Sequence, residues 1–257
     1  MSVEIDKKPE PNNEPPKKES KLTEATKKKL ILAVFIALVV IGIGLISWQP
    51  IVNHYLQPKA LDTEYTKVFD SGVDDKKIKE NKKTIKGTKD DFNFEDINLL
   101  TSSLDNLSPK INKDLIVGEI QVPAVNIHLP ILYGTTNQNL LTSATTMKPE
   151  QKMGKGNYAL AGHNAPNEKI LFAPLHKSKT GDYIYITDKT KLYKYEITEI
   201  NVVQPKEISV IQDVEGMNLI TLVTCYDAKG KTRLIVQGEL VDTQKYKEGI
   251  KLEKSAK

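Results

Sequence analysis

The sequence predicts a mostly β domain, a barrel or sandwich of about eight short and mainly antiparallel strands, behind one transmembrane helix. Three observations carry this. From about residue 108 the apolar runs become short, β-branched and alternating, and Gly, Pro and Asn/Asp signals separate them every 8–20 residues. Few long helical patterns interrupt them. Upstream, Leu30 to Trp48 is a run of 19 residues without a charge, long enough as a helix to span roughly 28 Å of a hydrocarbon core about 30 Å thick.

The chain divides by texture. Residues 1–29 are rich in Lys, Glu, Pro and Asn and read as a disordered tail. Residues 30–48 are the anchor. Lys27-Lys28-Lys29 precede it and Trp48 closes it, so the tail stays in the cytoplasm and everything beyond lies outside. A cleaved signal peptide is the rival reading. The apolar run is longer than the usual h-region, however, and Ser47-Trp48-Gln49-Pro50 has no A-x-A-like site. No second apolar run follows, which gives a single-pass protein. Residues 49–108 are polar and read as a stalk, partly helical at best. Within them Phe92, Phe94, Ile97, Leu100, Leu104 and Leu107 approximate one helical face that can dock on the next domain.

Residues 109–245 hold the strands: Leu115 to Val122, Asn126 to Leu132, Asn157 to Ala161, Tyr183 to Thr187, Leu192 to Ile197, Asn201 to Val203, Asn218 to Thr224 and Thr232 to Leu240. Residues 246–257 are a charged tail. The net charge is +4 and the lysines are interleaved with acids. Without a basic stripe carrying aromatics, nucleic acid is not an expected partner.

Of 37 basic residues one is an arginine, Arg233, and the chain has one cysteine, Cys225. They flank a polar turn, Asp227 to Lys231. A hairpin closing symmetrically about Lys229 sets residue 225 opposite residue 233, where Cβ atoms are about 4.5–5.5 Å apart. A thiol needs a cationic neighbour to become reactive, and a guanidinium is a planar fork for an oxyanion or carbonyl. A lone cysteine is often a buried structural thiol. An exported chain that used disulfides would carry an even number, and export, the Arg partner and the strand-end position favour reactivity.

Four histidines are candidate bases. His54 belongs to the stalk, His128 alternates within a strand, and His176 lies in a Lys-rich turn; all three read as solvated or rim residues. His163 follows Gly162 at the end of the strand Asn157 to Ala161. It shares a face with Ala159 and Ala161, whose small side chains leave room for a ligand.

Thr221-Leu-Val-Thr-Cys225 resembles the TLxTC signature of sortases. Leu160-Ala-Gly-His163 resembles their histidine strand, and Arg233 stands where their last strand begins. Val117-Gly-Glu-Ile, Thr146-Met-Lys-Pro and Leu171-Phe-Ala-Pro-Leu add to a likeness to class A over roughly residues 109–242. The resemblance implies a closed or nearly closed eight-stranded sortase-type β-barrel. It implies a transpeptidase that cuts an LPxTG-like signal of surface proteins between Thr and Gly and holds the acyl chain as a thioester. The acyl chain then passes to an amine of lipid II or peptidoglycan. Carried over, Cys225 is the nucleophile, His163 the general acid and then base, and Arg233 the oxyanion or peptide clamp. Ala161, Val223 and Thr224 line the substrate groove. The family's thiol and imidazole are mostly neutral at rest.

Some class A members bind Ca2+ through acids in the loop before the histidine strand. Here Asn139 to Lys155 has Glu150 as its only acid, among lysines, so neither a cofactor nor a Ca2+ requirement is expected. Pilin-polymerising sortases usually carry a C-terminal membrane segment and an Asp-Pro-aromatic lid, and neither is present. An L,D-transpeptidase places its Arg two residues after the Cys, and a papain-like peptidase places its Cys before its His; both orders differ from this one. A non-enzymatic surface module would make Cys225 a core residue.

Overall fold

Between Ile116 and Lys245 the alternating segments form eight strands in the computed structural model, which describes residues 23–70, 73–92, 94, 97, 109–227 and 229–256. They are β1 (Ile116–Val122), β2 (Ile127–Leu132), β3 (Ala144–Thr146), β4 (Asn157–Ala161), β5 (Tyr183–Thr187), β6 (Lys191–Val203), β7 (Leu219–Cys225) and β8 (Arg233–Lys245). They close into a barrel in the order β1-β2-β3-β4-β7-β8-β6-β5, so the choice between barrel and sandwich falls to the barrel.

Two of the pairings are parallel, β2 with β3 and β4 with β7. Parallel partners need a long crossover, and here the chain from Gly162 to Asn218 supplies one by building β5 and β6. The two runs Leu192 to Ile197 and Asn201 to Val203 are a single strand. Register shifts at Lys194/Tyr195 and Ile197/Glu199 interrupt its alternation, and such a bulge hides continuity from a period-2 reading. The three-residue β3 carries too little pattern to be seen in the sequence.

Alternation sorts the side chains. Tyr158 and Leu160 of β4, Ile220 and Leu222 of β7, and Leu234 and Val236 of β8 point into the barrel core with Ile120, Ile184 and Tyr195. Their neighbours Ala159, Val223 and Ile235 lie on the other face and cluster with Ile211. That second face carries the site.

The polar stretch read as a stalk contains two docked helices, α2 (Gln57–Asp70) and α3 (Asp75–Thr84), the second capped by the Asp74 side chain accepting from the Lys77 amide at 2.9 Å. Leu61 packs on Leu171 and Ala173, and Val68 and Ile78 pack on Ile116 and Leu132. The Tyr65 hydroxyl donates to the Thr142 carbonyl at 2.8 Å, and the buried Asn81 amide donates to the carbonyls of Lys113 and Ile116, each at 2.8 Å. Four apolar side chains of α2 (Leu61, Tyr65, Val68 and Phe69) and Ile78 of α3 make the contact, and the Lys/Glu content masks the apolar stripe. Most of the docking helix expected at Asp91 to Leu107 lies outside the described residues; Lys89–Phe92 is a 3-10 turn with Phe92 edge-on to Tyr133 at 5.3 Å. The charged C-terminal tail returns along β5, where the Tyr183 amide donates to the Lys254 carbonyl at 3.0 Å and Ile250 and Leu252 cover Tyr183 and Tyr185.

Upstream, α1 (Glu24–Ile51) is apolar on all sides, buries no residue, and is long and apolar enough to cross a membrane. The described residues divide into two units at Ser47/Trp48.

Ile78→Ala tests the docked helices. Truncating a fully buried isoleucine costs about 2–5 kcal/mol, so equilibrium urea unfolding of the variant should show a loss in that range. An unchanged midpoint would mean that α3 is undocked in solution.

Candidate active site

The parallel register of β4 and β7 sets Ala161 beside Val223. Both strands then end on the same rim, β7 with Cys225 and β4 leading through Gly162 into His163. The Gly162 amide donates to the Val223 carbonyl at 3.1 Å, extending the pairing by one residue. A Cβ on Gly162 would lie 2.6 Å from the ring of Phe172. Glycine therefore lets that ring press against the backbone, while the Phe172 amide donates to the His163 carbonyl at 3.1 Å. His163 is thereby held from both sides.

The antiparallel hairpin β7–β8 pairs Cys225 with Arg233, the register that symmetry about Lys229 requires. Its turn is organised by Asp227. That carboxylate accepts from the amides of Lys229 (2.9 Å), Lys231 (3.2 Å) and Thr232 (2.8 Å) and from the Thr232 hydroxyl (2.8 Å). These bonds hold it well below the usual carboxylate range. The turn's carbonyls in turn hold the arginine: Nη1 donates to Gly230 O at 2.7 Å and to Thr232 O at 3.2 Å. Among the described residues the other N–H groups of the fork have no partner and can meet a ligand.

Burial dominates the electrostatics. It raises the Cys225 thiol pKa; Arg233 opposes that rise and Asp227 adds to it. His163 is 6 % exposed, and burial pushes its imidazole down to about 4. Both shifts favour a neutral thiol and a neutral imidazole at neutral pH. No hydrogen bond engages the imidazole among the described residues.

Cys225, His163 and Arg233 line one groove of about 590 Å3, together with Ala161, Val223 and Thr224. All six residues anticipated from the sequence therefore meet. Thr224 is 2 % exposed, and its hydroxyl has no partner among the described residues. The other three histidines, His54, His128 and His176, are exposed and stand apart from the groove. The sequence reading did not anticipate the far wall, built from the β6–β7 segment with Val203, Pro205, Ile208, Val210 and Ile211. The apolar residues Ile208, Val210 and Ile211 in a loop of polar residues were its visible signal. Phe92, Phe94 and Ile97 also reach the groove.

Comparison with known proteins fits this arrangement. Residues 120–241 match the sortase domain family model. The chain is 36% identical to Sortase A of Streptococcus agalactiae over 217 residues, covering 82% of this chain and 84% of that one. The chain belongs to the sortase family. It is 43% identical to Sortase A of Listeria monocytogenes over 157 residues, 60% of this chain and 70% of that relative. The crystal structure of the Listeria monocytogenes sortase A superposes with a TM-score of 0.51 at 44% identity, covering 52% of this chain and 92% of that one. These relatives place the protein among class A sortases, and so among the transpeptidases.

The charges around Cys225 make a prediction for this sortase. The pH profile of its alkylation by iodoacetamide should show an apparent pKa above that of a free thiol. Asp227→Asn should lower the midpoint by removing a negative charge, and Arg233→Met should raise it. A midpoint below that of a free thiol would show that the arginine outweighs burial.

Proposed function

We propose that the protein is a membrane-anchored cysteine transpeptidase that cleaves an LPxTG-like signal between Thr and Gly and transfers the acyl chain to a peptidoglycan-precursor amine. The observation that carries this reading is the meeting of the chain's one thiol, one guanidinium and one buried imidazole at the rim of one groove. Helix α1 holds the protein in the membrane, with the lysines before it inside and the barrel outside.

Chemistry starts from the neutral pair. The Cys225 proton passes to His163, and the thiolate adds to the threonine carbonyl. Negative charge develops on that oxygen, where the unengaged N–H groups of Arg233 and the backbone N–H of Tyr226 stabilise it. That contribution from Tyr226 requires its amide to turn from the Thr232 carbonyl, to which it donates at 3.1 Å. The C–N bond breaks, the imidazolium gives its proton to the glycine amine, and a thioester remains. An incoming amine then adds to the thioester and loses its proton to His163. The C–S bond breaks, and the thiol recovers the proton. A low imidazole pKa makes the imidazolium a strong acid once formed, which suits protonation of a poor leaving amine. Ala161 and Val223, small and neighbouring, leave room for the peptide, and Thr224 closes the end nearest the thiol.

Incubation with a labelled LPxTG peptide and hydroxylamine should give a hydroxamate at the threonine. Cys225→Ala and His163→Ala should reduce it to background. Arg233→Lys keeps the charge but loses the fork, and should cost roughly 10²-fold or more, the scale for one positioned donor. Cleavage at another bond would defeat the assignment, and a near-active Arg233→Lys would defeat the role of the fork.

Calcium is not part of this proposal. The Lys148 ammonium lies 2.5 Å from the Asp213 carboxylate, where the β3–β4 segment meets the β6–β7 segment, and the described residues hold no cluster of three metal-binding side chains. Chelator should leave the cleavage rate unchanged; a several-fold loss restored by Ca2+ would reveal acids recruited from elsewhere.

A further inference from the structure

The groove's far wall is made by residues 203–211, a segment with only a short 3-10 turn (Ile208–Ile211) of its own. Its position has a specific cause. Asn157, the first residue of β4, is 1 % exposed. Its side-chain amide donates to the carbonyls of Val210 (3.0 Å) and Gln212 (3.1 Å), while its side-chain oxygen accepts from the Thr221 hydroxyl at 2.7 Å. Thr221 is fully buried and itself accepts from the Gln237 amide at 2.9 Å. The chain Gln237–Thr221–Asn157 therefore points the amide's donors at the loop, and both polar atoms of the Asn157 side chain have partners. A backbone bond adds to this: the Asn157 N–H donates to Asp213 at 2.9 Å, and Asp213 pairs with Lys148. Gly156 permits this approach, since a Cβ there would lie 2.7 Å from the Asp213 carboxyl.

Asn157 stands six residues before His163, at the start of the strand that leads into it, about 20 Å away along an extended chain. It cannot touch the reacting atoms. Between the two bonded carbonyls, Val210 to Gln212, lies Ile211, which packs on Ala159, Val223 and Ile235 and lines the groove. We infer that Asn157 is a positioning residue for substrate recognition. It fixes the β6–β7 wall against the barrel and so sets the width of the groove for the apolar part of the sorting peptide. The inference rests on the reading of the groove as the peptide site. Since β4 begins at Asn157 and leads through Gly162 into His163, one strand connects the wall and the catalytic rim.

The experiment uses the full chain in detergent micelles and the variants Asn157→Asp and Asn157→Ala. A carboxylate at 157 would face two carbonyl oxygens and repel the loop; alanine would release it. Losing two part-buried hydrogen bonds should raise the peptide KM about tenfold, with kcat changed by less than about twofold. Hydrogen exchange should accelerate in residues 204–218 and not in β7. The alkylation rate of Cys225 without peptide should stay at the wild-type value, which a general loss of structure would not allow. If these variants fail to fold, Asp213→Asn, at an exposed position, should raise KM in the same direction by roughly two- to threefold. Unchanged KM in all folded variants, or a fall in kcat at constant KM, overturns the inference while wild-type cleavage preserves the functional reading. A wild-type chain that cleaves no LPxTG peptide defeats that reading, and this inference with it.

Discussion

Everything at the site depends on the parallel pairing of β4 with β7. An antiparallel pairing would send the ends of the two strands to opposite rims and separate His163 from Cys225 by the length of the barrel. Parallel pairing brings both carboxyl ends together, with Ala161 beside Val223 one step before the rim. The hairpin into β8 then adds Arg233 by a local turn. One long-range constraint and one short-range one thus assemble three residues spread over 71 positions, 163 to 233. The crossover needed for parallel strands also contains β5 and β6, so closing the barrel and building the site are one topological event.

The electrostatic character of the site follows from where that rim lies. The groove sinks His163 and Cys225 into apolar surroundings, and burial is the largest influence on each. A buried imidazole sheds its proton and a buried thiol keeps its own. Arg233 is close enough to oppose this on the thiol, yet its own hydrogen bonds are to loop carbonyls. Among the described residues no carboxylate pairs with it, so its charge remains available to a ligand. Asp227 acts on both: it builds the turn that supplies those carbonyls, and it adds negative potential near the thiol.

Helices α2 and α3 are part of the same folded unit as the barrel. Tyr65 and Asn81 reach across to backbone carbonyls of the barrel unit, and Leu61 closes a cluster with Leu171 and Ala173. Leu171 and Ala173 flank Phe172, the ring that backs Gly162. Packing of α2 therefore extends to within one side chain of the segment that carries His163.

By itself the sequence determined the strand-rich domain, the apolar N-terminal run, the Cys225–Arg233 pairing and the candidate set Cys225, His163, Arg233, Ala161, Val223 and Thr224. These are local signals: alternation with period 2, a long uncharged stretch, and a short turn whose symmetry sets its register. Only the tertiary structure decided the parallel β4–β7 contact, the β6–β7 wall held by Asn157, and the docking of α2 and α3. Each of these depends on partners far apart in the chain. Asn157 shows the difference plainly: in sequence it is a polar residue at the start of a strand. It becomes a pin for the groove because folding delivers two carbonyls and a threonine hydroxyl from more than fifty residues away. The apolar stripes of α2 and α3 are too thin to stand out from their lysines, and a helix held by a few contacts on a preformed surface leaves little pattern of its own.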